Sequence, residues 1–137
     1  MISRMKVLFA LAFAMLASQA VAHHNMTATF DFNDRVSLTG TLTKVDWRNP
    51  HTSMTVEVKG ATGAVETWLA EGPAPSFFRI RDFGKADFEG AIGKTVKVEL
   101  SRARDKSRSG LIRTFILPDG RVTVSYTHLT LPTTPYV

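Results

Sequence analysis

From Val36 to Trp47 the chain alternates apolar and polar side chains: Val36, Leu38, a gap at Gly40, Leu42, then a phase change near Lys44 that brings in Val45 and Trp47. A period of two over that length predicts a long half-buried strand, bent or bulged near Gly40. Met54, Val56 and Val58 alternate with Thr55, Glu57 and Lys59, and a Gly60 to Gly63 turn leads into Val65 to Leu69, so the first three strands form a meander. Pro73-Ala-Pro-Ser then breaks the alternation and opens a short helix over 77–83, with Ser76 as its cap and Phe77, Ile80 and Phe83 inward. Ile92 to Leu100 and Leu111 to Leu117 supply two more strands, joined across a polar loop from Ser101 to Gly110. Three strands, one short helix and two strands is the order of an all-β, small OB-like β-barrel of five to six strands, which closes its sheet and removes free edges. An open sandwich or roll uses the same strands.

Neither end follows this pattern. Arg4 and Lys6 precede an apolar run from Val7 to Ala17, and Ser18 and Gln19 lead to Ala20-Val21-Ala22. A charged start, a short apolar centre and an A-x-A exit make residues 1–22 a secretory signal peptide, too short in its apolar centre for a membrane span. Cleavage after Ala22 makes His23 the first residue of a periplasmic or secreted protein with no transmembrane segment left. At the other end, Val124 to Thr133 reads as the translation of a sequencing-library transposon adapter: GTC TCT TAT ACA CAT CTG ACG CTG CCG ACG gives those residues in order. Residues 124–137, His128 among them, are therefore read as an adapter artefact, and the domain as 23–123, with its native continuation beyond Thr123 open.

A body of about 100 residues is large enough for a modest core without staples. Composition narrows the chemistry. Hydrophobic residues are 44% and charged residues 21% of the chain, a globular balance, and Cys is absent, which removes disulfides, thiolate metal sites and Cys nucleophiles. Lys and Arg number 17 against 12 acids; once Arg4 and Lys6 leave with the leader, 15 face 12, a bias too mild to require nucleic acid. Export argues against a nucleic-acid partner as well. No G-x-S-x-G elbow, H-E-x-x-H helix, Walker loop or dinucleotide fingerprint occurs.

Histidine carries the sharpest signal. With His128 set aside, His23, His24 and His51 remain, and two of them begin the mature chain. A free N-terminal amine and the Nδ1 of the same residue chelate copper, and one further imidazole completes a T-shaped nitrogen set; imidazole serves zinc as the alternative metal. His51 closes Trp47-Arg-Asn-Pro-His51, where Pro50 puts it at a strand end, among the loops that carry ligands. Glu71, in Glu71-Gly-Pro beyond the Trp68 strand, is a carboxylate for the same rim, as ligand or as partner of an imidazole. The plain alternatives are a solvated His-His tail, a His51 that satisfies a turn, and an exposed strand-end acid. Met26 and Met54 are soft donors for Cu(I), although Met54 keeps the alternation of its strand and fits the core better. The basic loop Arg102-Ala-Arg-Asp-Lys-Ser-Arg108 fits a solvated hairpin, or the edge of a face for an anionic glycan or lipid headgroup. Trp47, Trp68, Phe77, Phe78 and Phe115 read as core.

Together these residues resemble a family of small exported bacterial proteins of unknown function. The resemblance lies in Ala22-His23-His24, the W-x-N-P-H of Trp47 to His51, Trp68 with Glu71, Gly93-Lys-Thr-Val-Lys-Val98 and Leu117-Pro-Asp-Gly120, and spans His23 to Arg121. The chain departs from it between Glu71 and Gly84, where the family has a turn with Asn and a Gly-Trp pair and this chain has Pro73, Pro75 and Phe83-Gly84. It implies an exported β-rich domain and no activity. The expectation is a non-enzymatic copper-binding protein using His23, His24, His51 and Glu71. A cell-envelope recognition module for a glycan, lipid or protein comes second, and an oxygen-activating copper enzyme third.

Overall fold

The computed structural model describes residues 26–125. After a helical turn at 26–29, the chain runs through strands β1 (Phe30–Asp46), β2 (Ser53–Lys59) and β3 (Val65–Glu71), helices α1 (Pro75–Arg79) and α2 (Lys85–Glu89), then β4 (Thr95–Ala103), β5 (Ser109–Ile116) and β6 (Val122–Val124). This is a mostly β fold with six strands in one sheet, ordered β3-β2-β1-β4-β5-β6. A parallel pairing of Leu69, Ala70 and Glu71 with Ser109, Gly110 and Leu111 joins β3 to β5, so the circuit β1, β2, β3, β5, β4 returns on itself. The helices sit between the third and fourth strands, as OB-like order requires.

The phase change in β1 has a structural cause. Leu42 pairs with Val56 and Lys44 with Thr55, so Thr43 is an extra residue, and the bulge turns Val45 and Trp47 to the face that Leu38 and Leu42 occupy before it. Gly40, where the bend was expected, is a regular position opposite Val96. Its lack of a side chain answers a close approach, since a Cβ there would collide with the Glu57 carbonyl. β1 also starts earlier than the alternation predicts. Asp31, Asn33, Asp34 and Arg35 hide the strand from a hydrophobicity pattern, and Phe30, 1% exposed, anchors it beside Ala103.

The helical segment departs most from expectation. Two five-residue helices stand where one was predicted. Pro75 takes the first helical turn of α1, and Ala74 holds the cap position without a side-chain bond, so Ser76 lies inside the helix. This earlier start rotates the apolar set: Phe78 is buried, Phe77 and Phe83 are half-buried, and Ile80 is 77% exposed. In α2 the Asp87 carboxylate accepts the Gly84 N–H at 2.7 Å and Phe88 is fully buried. Ring centroids of Trp47, Phe78, Phe88 and Phe115 lie 5.0 to 5.5 Å apart along their contacts, an aromatic plug over the core of Leu42, Met54, Val56, Trp68, Leu100 and Ile112. A smaller cluster of Phe30, Ala103 and Leu111, with Met26 and Phe32 against it, lies apart from that core.

Candidate functional site

The loop from Trp47 to Thr52 is held at both ends. Trp47 packs into the aromatic plug, and Arg48 pairs with Asp46 at 2.7 Å across a turn that contains a cis Asn49–Pro50 bond. Thr52, fully buried, receives the Gly72 N–H on its carbonyl at 2.8 Å and gives both its N–H and its hydroxyl to the Pro73 carbonyl, at 3.1 and 2.9 Å. Gly72 is required here, because a Cβ would press on the Thr52 hydroxyl. These bonds stitch the W-x-N-P-H loop to the segment after β3. His51 is exposed, immediately before the stitch.

Glu71 is the last residue of β3. Trp68 and Ala70 face the core, so strand alternation turns Glu71 outward, where it is half-buried. Its ladder neighbours are Ser53 on one side and Leu111 on the other. The structure thus brings His51 and Glu71 to one rim: Ser53 is two residues beyond His51 and opposite Glu71.

The N-terminal approach reaches the same region from the other side. Phe30 pairs with Ala103, the Arg104 N–H donates to the Thr29 carbonyl at 2.9 Å, and Arg104 Nε donates to the Thr27 carbonyl at 2.9 Å. Met26 packs on the cluster that contains Leu111, the ladder partner of Glu71. His23, His24, the leader and residues 126–137 lie outside the described residues. Among the described residues no three His, Cys, Asp or Glu side chains gather in one group. Of the four expected ligands, only His51 and Glu71 lie among the described residues. Met54, fully buried, belongs to the core.

The cations of the 102–108 loop are engaged. Arg102 donates to the Lys106 and Ser107 carbonyls and lies 5.6 Å from the Trp68 ring; Lys106 pairs with Asp34 at 2.6 Å, and Arg108 with Glu66 at 3.3 Å. The Lys106 hydrogen bond holds the Asp34 carboxyl below the usual carboxylate range, and the Ser107 bonds do the same for Asp105. The loop is cross-tied as a solvated hairpin.

Two groupings escaped the pattern reading. Arg121 bonds Asp119 at 2.8 Å and Asp87 at 2.6 Å and lies over the Phe83 ring, tying the β5–β6 turn to α2. Arg113 and Ser101, both buried, meet at 3.1 Å. An arginine inside the apolar run of Leu111 to Leu117 was the visible signal for the second; the first joins residues far apart in sequence and left none.

Among family models, one described as a family of unknown function, DUF6152, matches residues 11–114. No curated protein matches the chain.

Proposed function

The chain belongs to DUF6152, a family whose description assigns no reaction, and from that premise we propose that it is an exported metal-binding protein that holds copper at its mature N-terminus. The His23 amine and imidazole, with His24 beside them, supply nitrogen donors, and the rim supplies His51 and Glu71. The supporting observation is the convergence on Glu71: Ser53 and Leu111 flank it in the ladder, His51 is two residues from Ser53, and Met26 is packed on the Leu111 cluster.

Distances make the arrangement attainable. Two ladder spacings separate Leu111 from Ser53, about 10 Å. Three extended residues, the separation of Met26 from His23, span up to about 10 Å. A chain end anchored at Met26 therefore has the reach to bring its amine to the Glu71 side of the rim. Neutral imidazoles and a deprotonated amine suit Cu(II), and a carboxylate either completes the set or orients an imidazole.

The test is copper titration of protein secreted and processed to His23, beside a form with one residue added before His23, His51→Ala and Glu71→Gln. Intact mass and N-terminal sequencing first establish the His23 start. Blocking the amine or deleting His51 should each lower affinity at least tenfold, because each removes a donor from a chelate. Equal affinity in the blocked form, His51→Ala and the processed protein would assign the metal to a free His-His tail and overturn the built site. A protein that binds no copper but captures an envelope glycan or lipid would establish the recognition module instead.

A further inference from the structure

Arg113 sits in β5 within Leu111-Ile-Arg-Thr-Phe-Ile-Leu117, a run that otherwise builds the core. In the β4–β5 ladder Glu99 faces Thr114 and Leu100 faces Ile112, so Arg113 is the extra residue of a bulge. Bulges redirect a side chain out of the strand's alternation and are found beside functional sites. This one carries an arginine that is 5% exposed. Its Nη1 donates to Ser101 Oγ at 3.1 Å, and Ser101 is itself fully buried. No carboxylate among the described residues forms an ion pair with Arg113. Glu99, next on that face of β4, is held by Arg35 at 3.4 Å.

A buried cation of this kind is unusual, because burial removes its hydration and a neutral hydroxyl returns little of it. The chemistry of the pair is one-sided. A guanidinium has five N–H donors and no acceptor, and a hydroxyl that accepts from it keeps its own O–H to donate. Two donors side by side with a positive charge and no anion match an oxyanion, and the planar guanidinium fits carboxylate or phosphate oxygens in a two-bond fork.

We propose that Arg113 and Ser101 form a binding position for a small oxyanion, carboxylate or phosphate in chemistry, set on β4 and β5 with Ser101 opposite Leu111. Both side chains lie within 23–123, and the Arg113 carbonyl accepts the Ser125 N–H of the adapter-like tail at 2.7 Å.

The experiment follows the thermal midpoint of the full chain as sodium phosphate, or separately sodium acetate, replaces sodium chloride at fixed ionic strength. The midpoint should rise saturably with at least one oxyanion; phosphate alone identifies a phosphoryl site, acetate alone a carboxylate site, and both a shared one. Arg113→Met should lose the response, while Arg81→Met, a surface change, should keep it. Ser101→Ala should raise the half-saturating concentration at least threefold. A wild-type midpoint that follows ionic strength alone, or an Arg113→Met response equal to wild type, overturns the proposal. Should Arg113→Met not fold, an unchanged half-saturation in Ser101→Ala overturns it equally.

Discussion

At the scale of single residues, the position of His51 depends on its neighbour. Thr52 has no candidate chemistry, yet its three bonds to Gly72 and Pro73 fix where the W-x-N-P-H loop lies. Thr52→Val removes the hydroxyl bond and keeps the shape, and should cost about 1 kcal/mol in urea unfolding. Gly72→Ala forces a methyl against that hydroxyl, and should cost about 1–3 kcal/mol while shifting the 72–73 segment that the loop is stitched to. An unchanged urea midpoint for both variants would show that the stitch does not hold the loop. The identities of His51 and Glu71 as rim residues were legible in the sequence, since Pro50 and the strand ends locate each. The stitch that holds the loop was not, because it rests on a bond between Thr52 and Pro73, 21 residues apart.

At the scale of elements, Thr43 decides which half of β1 faces the core. Without the bulge, Val45 and Trp47 would share the outward parity of Thr39 and Thr41. Deleting Thr43 alone should preserve the cooperative thermal transition, because Leu42, Val45 and Trp47 then alternate regularly on one face. Deleting Thr43 and Lys44 together turns Val45 and Trp47 outward and should abolish it. Phe88→Ala should cost about 3–5 kcal/mol, since a fully buried ring that touches Trp47, Phe78, Phe83 and Phe115 leaves a void none of them can fill; chemical denaturation measures it. The parity switch was readable in the alternation. The plug was only partly so, because a proline at the first helical turn set the phase of α1, and the polar surroundings of Phe88 hid a helix of one turn. The clamp on α2 has its own signature in acid. Hydrogen bonds from Arg121 and the Gly84 N–H hold the Asp87 carboxyl below its ordinary range, and the Arg121 N–H and guanidinium do so for Asp119. Carboxyls depressed in the fold contribute stability that is fully present above the unfolded value, about 3.9, and is lost as pH falls through the lower folded values. In Arg121→Met the Asp87 midpoint, followed by carboxyl NMR, should move up; an unmoved midpoint would place its cause in the Gly84 bond alone.

At the scale of the whole molecule, the circuit of strands closes through three residue pairs of β3 and β5, whereas β2 and β3 share seven. That narrow seam is where the molecule should open first, since local opening begins where few bonds hold the backbone. The Leu69 N–H, bonded to the Arg108 carbonyl, reports it directly. The N-terminal segment is packed onto the Leu111 side of the seam and Glu71 forms the other, so a metal shared between the chain end and Glu71 would act as a rivet across it. Binding to the closed form alone at a hundredfold excess over Kd raises the opening free energy by about 2.7 kcal/mol. Amide exchange at Leu69 should then slow about a hundredfold on adding copper to the processed protein, and should not slow in the form with a residue before His23. A single residue left uncleaved at the front of the chain would, on this reading, be felt as a looser joint at its middle.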